Sequence, residues 1–160
     1  MKELITHTYS QSLSTSFKHK MIDYHLLVAK LYSNMSRAER LKTGAALATP
    51  DNSRIIMCGY NGTIAGLDNQ CEVDNVTKGE VVHAEQNVLM ACAKYGIATN
   101  NCVLYITHSP CIDCAKLIIS AGISRVYFNS YYRKQEGLEL LERAGVEYFK
   151  RNYCNKLLRS

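Results

Sequence analysis

A chain of 160 residues with 47% apolar and 21% charged side chains has the make-up of one ordinary globular domain, which excludes disorder and leaves little room for a second core. No run approaches the roughly 20 apolar residues of a membrane span, and the stretch 1–17, rich in Ser and Thr with Glu3 inside it, has no apolar centre and does not read as a secretory signal. The net charge of +5 comes largely from Lys150, Arg151, Lys156 and Arg159 in a stretch without an acid, which fits a solvated tail or a contact with phosphate or nucleic acid.

The predicted elements start after a flexible arm over 1–16. Met21, Ile22, Leu26, Val28, Ala29 and Tyr32 recur at helical spacing and predict an amphipathic helix over 17–33 that covers one face of a sheet. Two apolar runs, 43–49 and 54–59, flank Pro50, Asp51 and Asn52 and predict an antiparallel pair. The stretch 60–80, with Gly62, Gly66 and Gly79 and no sustained period, reads as a long loop, and long loops inside compact domains are usually functional. A helix over 83–95 follows, with Val88, Leu89 and Cys92 inward and a stop near Gly96. Then come a buried strand over 102–107, a helix over 111–121 ended by Gly122, and a strand over 124–128. A helix over 131–144 stopped by Gly145 and a last strand over 146–149 complete the series. This alternation predicts one domain over 17–150, with right-handed crossovers, a mainly parallel sheet and helices on both faces, before a basic tail over 151–160.

Seven cysteines form an odd set without framework spacing in a chain long enough to fold without staples, so a reducing cytoplasm is the expected compartment, that of the host if a virus encodes the chain. Three of the candidate metal ligands stand together in chemistry but apart in sequence: His83 in HAE, and Cys111 and Cys114 in PCIDC. Imidazole and thiolates suit zinc, and a C-x-x-C pair opening a helix puts both sulfurs on one side of its first turn, where the helix N-terminus favours the thiolate. Three protein ligands leave a position open for water, the arrangement of a catalytic site, whereas structural sites close with four.

Glu85 lies too close along the helix to His83 to be a convenient fourth ligand, yet it can reach a water held there. It can take that water's proton and hand protons to a ring nitrogen and a leaving amine. A lone C-x-x-C is often redox-active or core, and HAE alone occurs by chance. H-x-E followed by P-C-x-x-C is the signature of zinc-dependent base deaminases, and a thioredoxin-like reading leaves His83 and Glu85 unexplained.

At these residues the chain resembles the cytidine deaminase superfamily, and within it the deoxycytidylate (dCMP) deaminases. The resemblance covers 42–149 and rests on KTGAAL, GYNG at 59–62, HAEQN at 83–87, and YITHSPCIDCAKLIISAGISRVYF at 105–128. It implies a three-layer α/β/α fold with a mixed five-stranded sheet, one catalytic Zn2+ per chain, and deamination of dCMP to dUMP as a supply step for thymidylate. It further implies a homo-oligomer, hexameric in many relatives, with dCTP as activator and dTTP as inhibitor, triphosphates that bring Mg2+ with them.

Carried over by position, Tyr60, Asn61 and Gly62 become candidate nucleotide contacts, Ala84 a candidate backbone contact to the base, and Tyr131 or Tyr132 a pocket wall. Taken alone, Asn61 and Gly62 read as a plain Asn-Gly turn. Thr49 stands where many relatives have an Asn that holds the sugar; Thr offers one hydroxyl but no two-pronged amide contact. Cys71 sits in a loop where some relatives close a second, structural zinc, but 37–41 has no cysteine and the loop before His83 no histidine, so a free thiol is expected. Phosphate discrimination depends on where Lys42, Asn61 and His108 point; His108 either touches a phosphate or caps the end of its strand. His7, His19 and His25 read as surface or helix residues.

Two further functions share parts of this pattern. An editing deaminase acting on tRNA or single-stranded nucleic acid would use the same residues on an extruded base, but the basic tail is its only support and no basic stripe with aromatics is apparent. A non-catalytic zinc module would close its site with a fourth ligand and have no use for Glu85. Free cytosine or cytidine deaminases are the nearer rivals.

Overall fold

The computed structural model of the protein describes residues 15–152. The first period forms α1 (Thr15–Ser33), which takes in two residues of the expected arm; the rest of that arm, 1–14, lies outside the described residues. Strands β1 (Gly44–Ala48) and β2 (Ile55–Tyr60) make the expected hairpin. The stretch read as loop carries three two-residue strands, β3 (Gly62–Thr63), β4 (Glu72–Val73) and β5 (Val76–Thr77), and a fourth, β6 (Val81–Val82), directly follows it. β3 pairs with β6 and β4 with β5, too short for any periodicity to register. Asp74 and Asn75, at φ 50° and 61°, form the two-residue turn of β4–β5, where positive φ at both central positions matches the twist of the strands.

Beyond it run α2 (Ala84–Tyr95), β7 (Val103–His108), α3 (Ile112–Ser120), β8 (Arg125–Ser130), α4 (Glu136–Arg143) and β9 (Glu147–Lys150). The main sheet has five strands in the order β2-β1-β7-β8-β9. β7, β8 and β9 are parallel, while β1 pairs antiparallel with both β2 and β7. The sheet is therefore mixed and five-stranded, as the resemblance implies; the parallel part is the half built by helical crossovers, and the β1–β2 hairpin enters beside β7 in the opposite sense.

Alternation sorts the core into two layers. Ala45, Leu47, Leu104, Ile106, Val126 and Phe128 face α2, α3 and α4, whereas Ala46, Ala48, Val103 and Tyr105 face Leu26 and Ala29 of α1. Small side chains in β1 let α1 come close: a β-carbon on Gly44 would run into the Ala29 carbonyl oxygen and lie 2.7 Å from Ser33 N. The stops foreseen at Gly96 and Gly145 adopt φ 66° and 74°, which closes α2 and α4 without a side-chain clash.

Two expectations shift. Helix α4 starts at Glu136, not Tyr131, because the preceding segment is held elsewhere: the Tyr132 N–H donates to Ser109 Oγ at 2.8 Å, and the Tyr131 ring packs on Phe128. The basic tail is not simply solvated at its first residue, since the Arg151 guanidinium grips both carboxylate oxygens of Asp23 on α1 at 2.6 and 3.2 Å; Lys156 and Arg159 lie outside the described residues. Among the described residues no helix is long and apolar enough to cross a membrane.

Candidate active site

The carboxyl ends of the parallel strands β7 and β8 meet the N-termini of α2 and α3 on one edge of the sheet, the crevice where open α/β sheets bind ligands. A cavity of about 450 Å³ opens there. His83, Glu85 and Cys111 form part of its wall, and Ile106, Thr107, His108 and Ser109 bring the end of β7 to it.

His83 is the residue before α2. The Gln86 side chain reaches back to accept the His83 N–H at 2.7 Å, which fixes the start of the helix. Cys111 precedes α3 in the same way and Cys114 falls in its first turn. His83 Nδ1 lies 3.5 Å from Cys111 Sγ and 3.3 Å from Cys114 Sγ, and the three ligand atoms all lie within 4.8 Å of one another. With Zn–N near 2.1 Å and Zn–S near 2.3 Å, the N-to-S edge of a tetrahedron is about 3.6 Å. The three atoms thus already sit as one face of such a site, and the donor set is one that zinc favours.

Electrostatics fit that donor set. The Cys111 thiol is pulled down to about 4, mainly by a hydrogen bond from the Cys114 thiol, with His83 beside it adding to the fall. Cys114 is pushed up because it keeps the proton the pair shares and lies buried beside Glu85. A dication between the sulfurs would draw off that proton too. His83 is raised, first by its hydrogen bond with Cys111 and then by the nearby charge of Glu85. Glu85, 7% exposed in the first turn of α2, has its carboxyl raised by burial. A buried acid with a raised pKa, beside three metal-ligand atoms and open to a cavity, is the equipment of a proton shuttle.

The residues expected to touch a nucleotide divide. Asn61, Tyr131 and Tyr132 line the cavity; Lys42, Thr49, Tyr60, Gly62 and Ala84 do not. Thr49 is at the far end of β1, where its Oγ1 bonds Asp51 and accepts the Arg54 N–H at 3.2 Å, so it holds the β1–β2 turn. Tyr60 offers its carbonyl to Asn87 Nδ2 at 2.9 Å, which ties β2 to α2. Ala84 is buried in the core, and Lys42 is exposed beside the cavity residues Leu41 and Thr43.

Asn61 is no Asn-Gly turn, since neither it nor Gly62 has positive φ. Its side chain clips the wall of the cavity instead, accepting the Thr43 N–H and donating to the Leu41 carbonyl, both at 2.8 Å. His108 Nδ1 lies 3.1 Å from Thr107 Oγ1, and burial, with Lys30 nearby, holds its pKa below the usual value, so it is neutral at pH 7. Of the other histidines, His19 is exposed on α1, His25 is buried, and His7 lies outside the described residues. Cys71 is buried and free.

Sequence reasoning missed Arg40, Arg133, Glu72 and Thr77, all of which line the cavity. Neither arginine forms an ion pair among the described residues. Arg133 stacks over the Tyr132 ring, 5.5 Å from its centroid, and directly follows the two tyrosines singled out from sequence. Arg40 has no such local signal.

A model of the cytidine and deoxycytidylate deaminase zinc-binding region matches residues 19–130. The chain is 30% identical over 168 residues to deoxycytidylate deaminase of Enterobacteria phage T4, covering 78% of this chain and 86% of that one. It is 38% identical over 128 residues to ComE operon protein 2 of Bacillus subtilis, covering 77% and 67%. The crystal structure of dCMP deaminase from cyanophage S-TIM5, in complex with dCMP and dUMP, superposes with a TM-score of 0.77 at 36% identity, covering 87% of this chain and 99% of that one. A deaminase/reductase of Thermotoga maritima, at 21% identity and a TM-score of 0.66, shares the fold. The chain belongs to the cytidine and deoxycytidylate deaminase family of zinc-binding, hydrolytic deaminases.

Proposed function

We propose that the protein converts dCMP and water to dUMP and ammonia, with His83, Cys111 and Cys114 holding one zinc ion and Glu85 moving the protons. The observation that carries this reading is the joining of three metal-ligand atoms and a buried acid to a cavity that is also lined by two arginines without ion pairs among the described residues. A bound zinc ion supplies a Lewis acid that brings the pKa of a water down from about 15.7 towards 7.

Glu85 takes the proton that the attacking water loses as its oxygen bonds to C4 of the cytosine. The same carboxyl delivers that proton to N3, then takes the remaining proton from the new C4 hydroxyl and passes it to the exocyclic amine, so that the C4–N bond breaks, the C4 oxygen becomes a carbonyl and ammonia leaves. Arg40 and Arg133 supply positive charge for the 5′-phosphate, and Tyr131 and Tyr132 close the wall beside it. His108, being neutral, offers an N–H but no charge. The deaminase unit runs from α1, which includes Thr15, to Arg151 on Asp23, slightly wider than the expected 17–150. Its cysteine ligands need a reducing compartment, the cytoplasm.

Ammonia release measured in parallel from dCMP, CMP, deoxycytidine and cytidine tests the substrate. Strong release from dCMP and at least about 10-fold less from deoxycytidine is expected, the discrimination available from one charge-assisted contact. Equal rates on the two would move the assignment to a nucleoside deaminase. The resemblance of GYNG also supports effector control in a hexamer, dUMP feeding thymidylate synthesis, and dCTP with Mg2+ as activator against dTTP. Sigmoidal dCMP kinetics made hyperbolic by dCTP are expected; hyperbolic kinetics indifferent to either triphosphate would remove this part.

A further inference from the structure

The β4–β5 hairpin is too short to hold itself, since each strand has two residues and isolated hairpins are marginal in water. Glu72 ties it to the body. Its side chain is 8% exposed, and its carboxylate oxygens accept the backbone N–H of Glu39 at 3.1 Å and that of Arg40, more loosely, at 3.5 Å. On the other strand, Thr77 Oγ1 accepts Nη1–H of Arg40 at 3.2 Å. One hairpin therefore grips Arg40 twice, at its main chain and at its guanidinium, and all three residues line the cavity. Lys78 closes the base of the hairpin: its N–H donates to the Cys71 carbonyl at 2.9 Å, and Nζ meets Asp68 at 3.1 Å and Glu80 at 3.4 Å.

The chemistry of the grip matters as much as its place. An acid paired with the guanidinium would cancel its charge. Here the acid engages main-chain amides while a neutral hydroxyl aims the guanidinium, which leaves about four of its five N–H donors and its full charge for an anion. Long arginine side chains otherwise carry about 2 kcal/mol of rotamer entropy, so a pre-aimed one loses less on meeting its ligand.

We propose that Glu72 and Thr77 are positioning residues that hold Arg40 over the cavity and thereby set the preference for a 5′-phosphorylated substrate over the nucleoside. The inference rests on the reading of this site as a dCMP deaminase. Its readout is the ratio of kcat/KM for dCMP to that for deoxycytidine, measured for the zinc-loaded full chain.

Arg40→Ala should lower that ratio about 10- to 100-fold, the range of a charge-assisted hydrogen bond. Glu72→Gln, whose amide can accept through only one of its terminal atoms, should lower it about 10-fold through a raised KM for dCMP, as expected when a contact is misplaced by a fraction of an ångström. Thr77→Val should act in the same direction and Thr77→Ser should restore the ratio. In the Arg40→Ala background, Glu72→Gln should change the ratio no further. Should Glu72→Gln fail to fold, Thr77→Val and Thr77→Ser, on an exposed strand, carry the test.

Equal losses on dCMP and deoxycytidine, or an additive loss in the Arg40→Ala background, would overturn the positioning role while leaving the dCMP reading intact. A zinc-loaded wild-type protein that discriminates neither substrate would overturn both.

Discussion

Cys114 is fully buried while Cys111 stands half-buried in the cavity wall, and both thiolates would help His83 hold the metal. Cys114→Ser should reduce zinc affinity more than about 100-fold in chelator competition, beyond the 10- to 100-fold that loss of a supporting group costs. Gly137 in α4 is such a supporting residue. A β-carbon there would strike the Pro110 carbonyl oxygen and lie 2.9 Å from the Cys111 carbonyl, so Gly137→Ala should push the cysteine loop off its position and weaken zinc binding about 10-fold. Unchanged zinc affinity in Gly137→Ala would show that α4 yields instead. The gathering of His83, Cys111 and Cys114 beside Glu85 was legible because ligand type and spacing are local properties of HAE and PCIDC. The places of Arg40, Gly137 and Glu72 beside the site were not, since each depends on an element distant in sequence.

At the scale of elements, α1 is fastened to the β1–β2 turn by a buried polar group. Asn52 Oδ1 accepts the Tyr105 hydroxyl at 2.7 Å and lies 3.3 Å from His25 Nδ1, and the His25 ring meets Tyr105 edge-on with centroids 5.2 Å apart. Burial lowers the His25 pKa, and the hydrogen bond to Asn52 opposes that fall. A folded pKa below the unfolded one means that the unfolded chain binds more protons. The contribution of neutral His25 is complete above about pH 6.5 and is lost as pH falls from there through the folded pKa. The urea midpoint should therefore drop between about pH 7 and pH 5, and His25→Gln should flatten that part of the curve. A variant curve as steep as wild type would assign the loss to other groups. Gly44→Ala should cost about 1–3 kcal/mol in the same assay by overpacking α1 against β1. The β1–β2 hairpin and the run from β7 to β9 were legible because apolar period and turn residues agree. The β4–β5 hairpin was hidden by two-residue strands, and the late start of α4 by the Ser109–Tyr132 hydrogen bond.

For the whole molecule, the sheet supplies the frame and the metal ligands join α2 to α3 across its edge. Removing zinc should lower the unfolding temperature by about 10 °C, since a ligand held at about 1,000 times its Kd adds about 4 kcal/mol and each kcal/mol moves a chain of this size by about 2–4 °C. The mixed sheet agrees with the resemblance and with the antiparallel pair read at 43–59, whereas the pairing of β1 with β7 could not be read from element order because it is decided only on assembly. If hydrolysis of dCMP runs through Glu85 beside a metal held by His83, Cys111 and Cys114, then removing the carboxylate should stop the reaction without releasing the metal. The direct measurement is zinc content and ammonia release from dCMP, taken side by side for the wild type and Glu85→Gln. The expected result is equal zinc in both proteins and a rate at least about 100-fold lower in the variant, the scale of a lost general acid–base. A variant that keeps both its zinc and its rate, or a zinc-loaded wild type that releases no ammonia from dCMP, would contradict it.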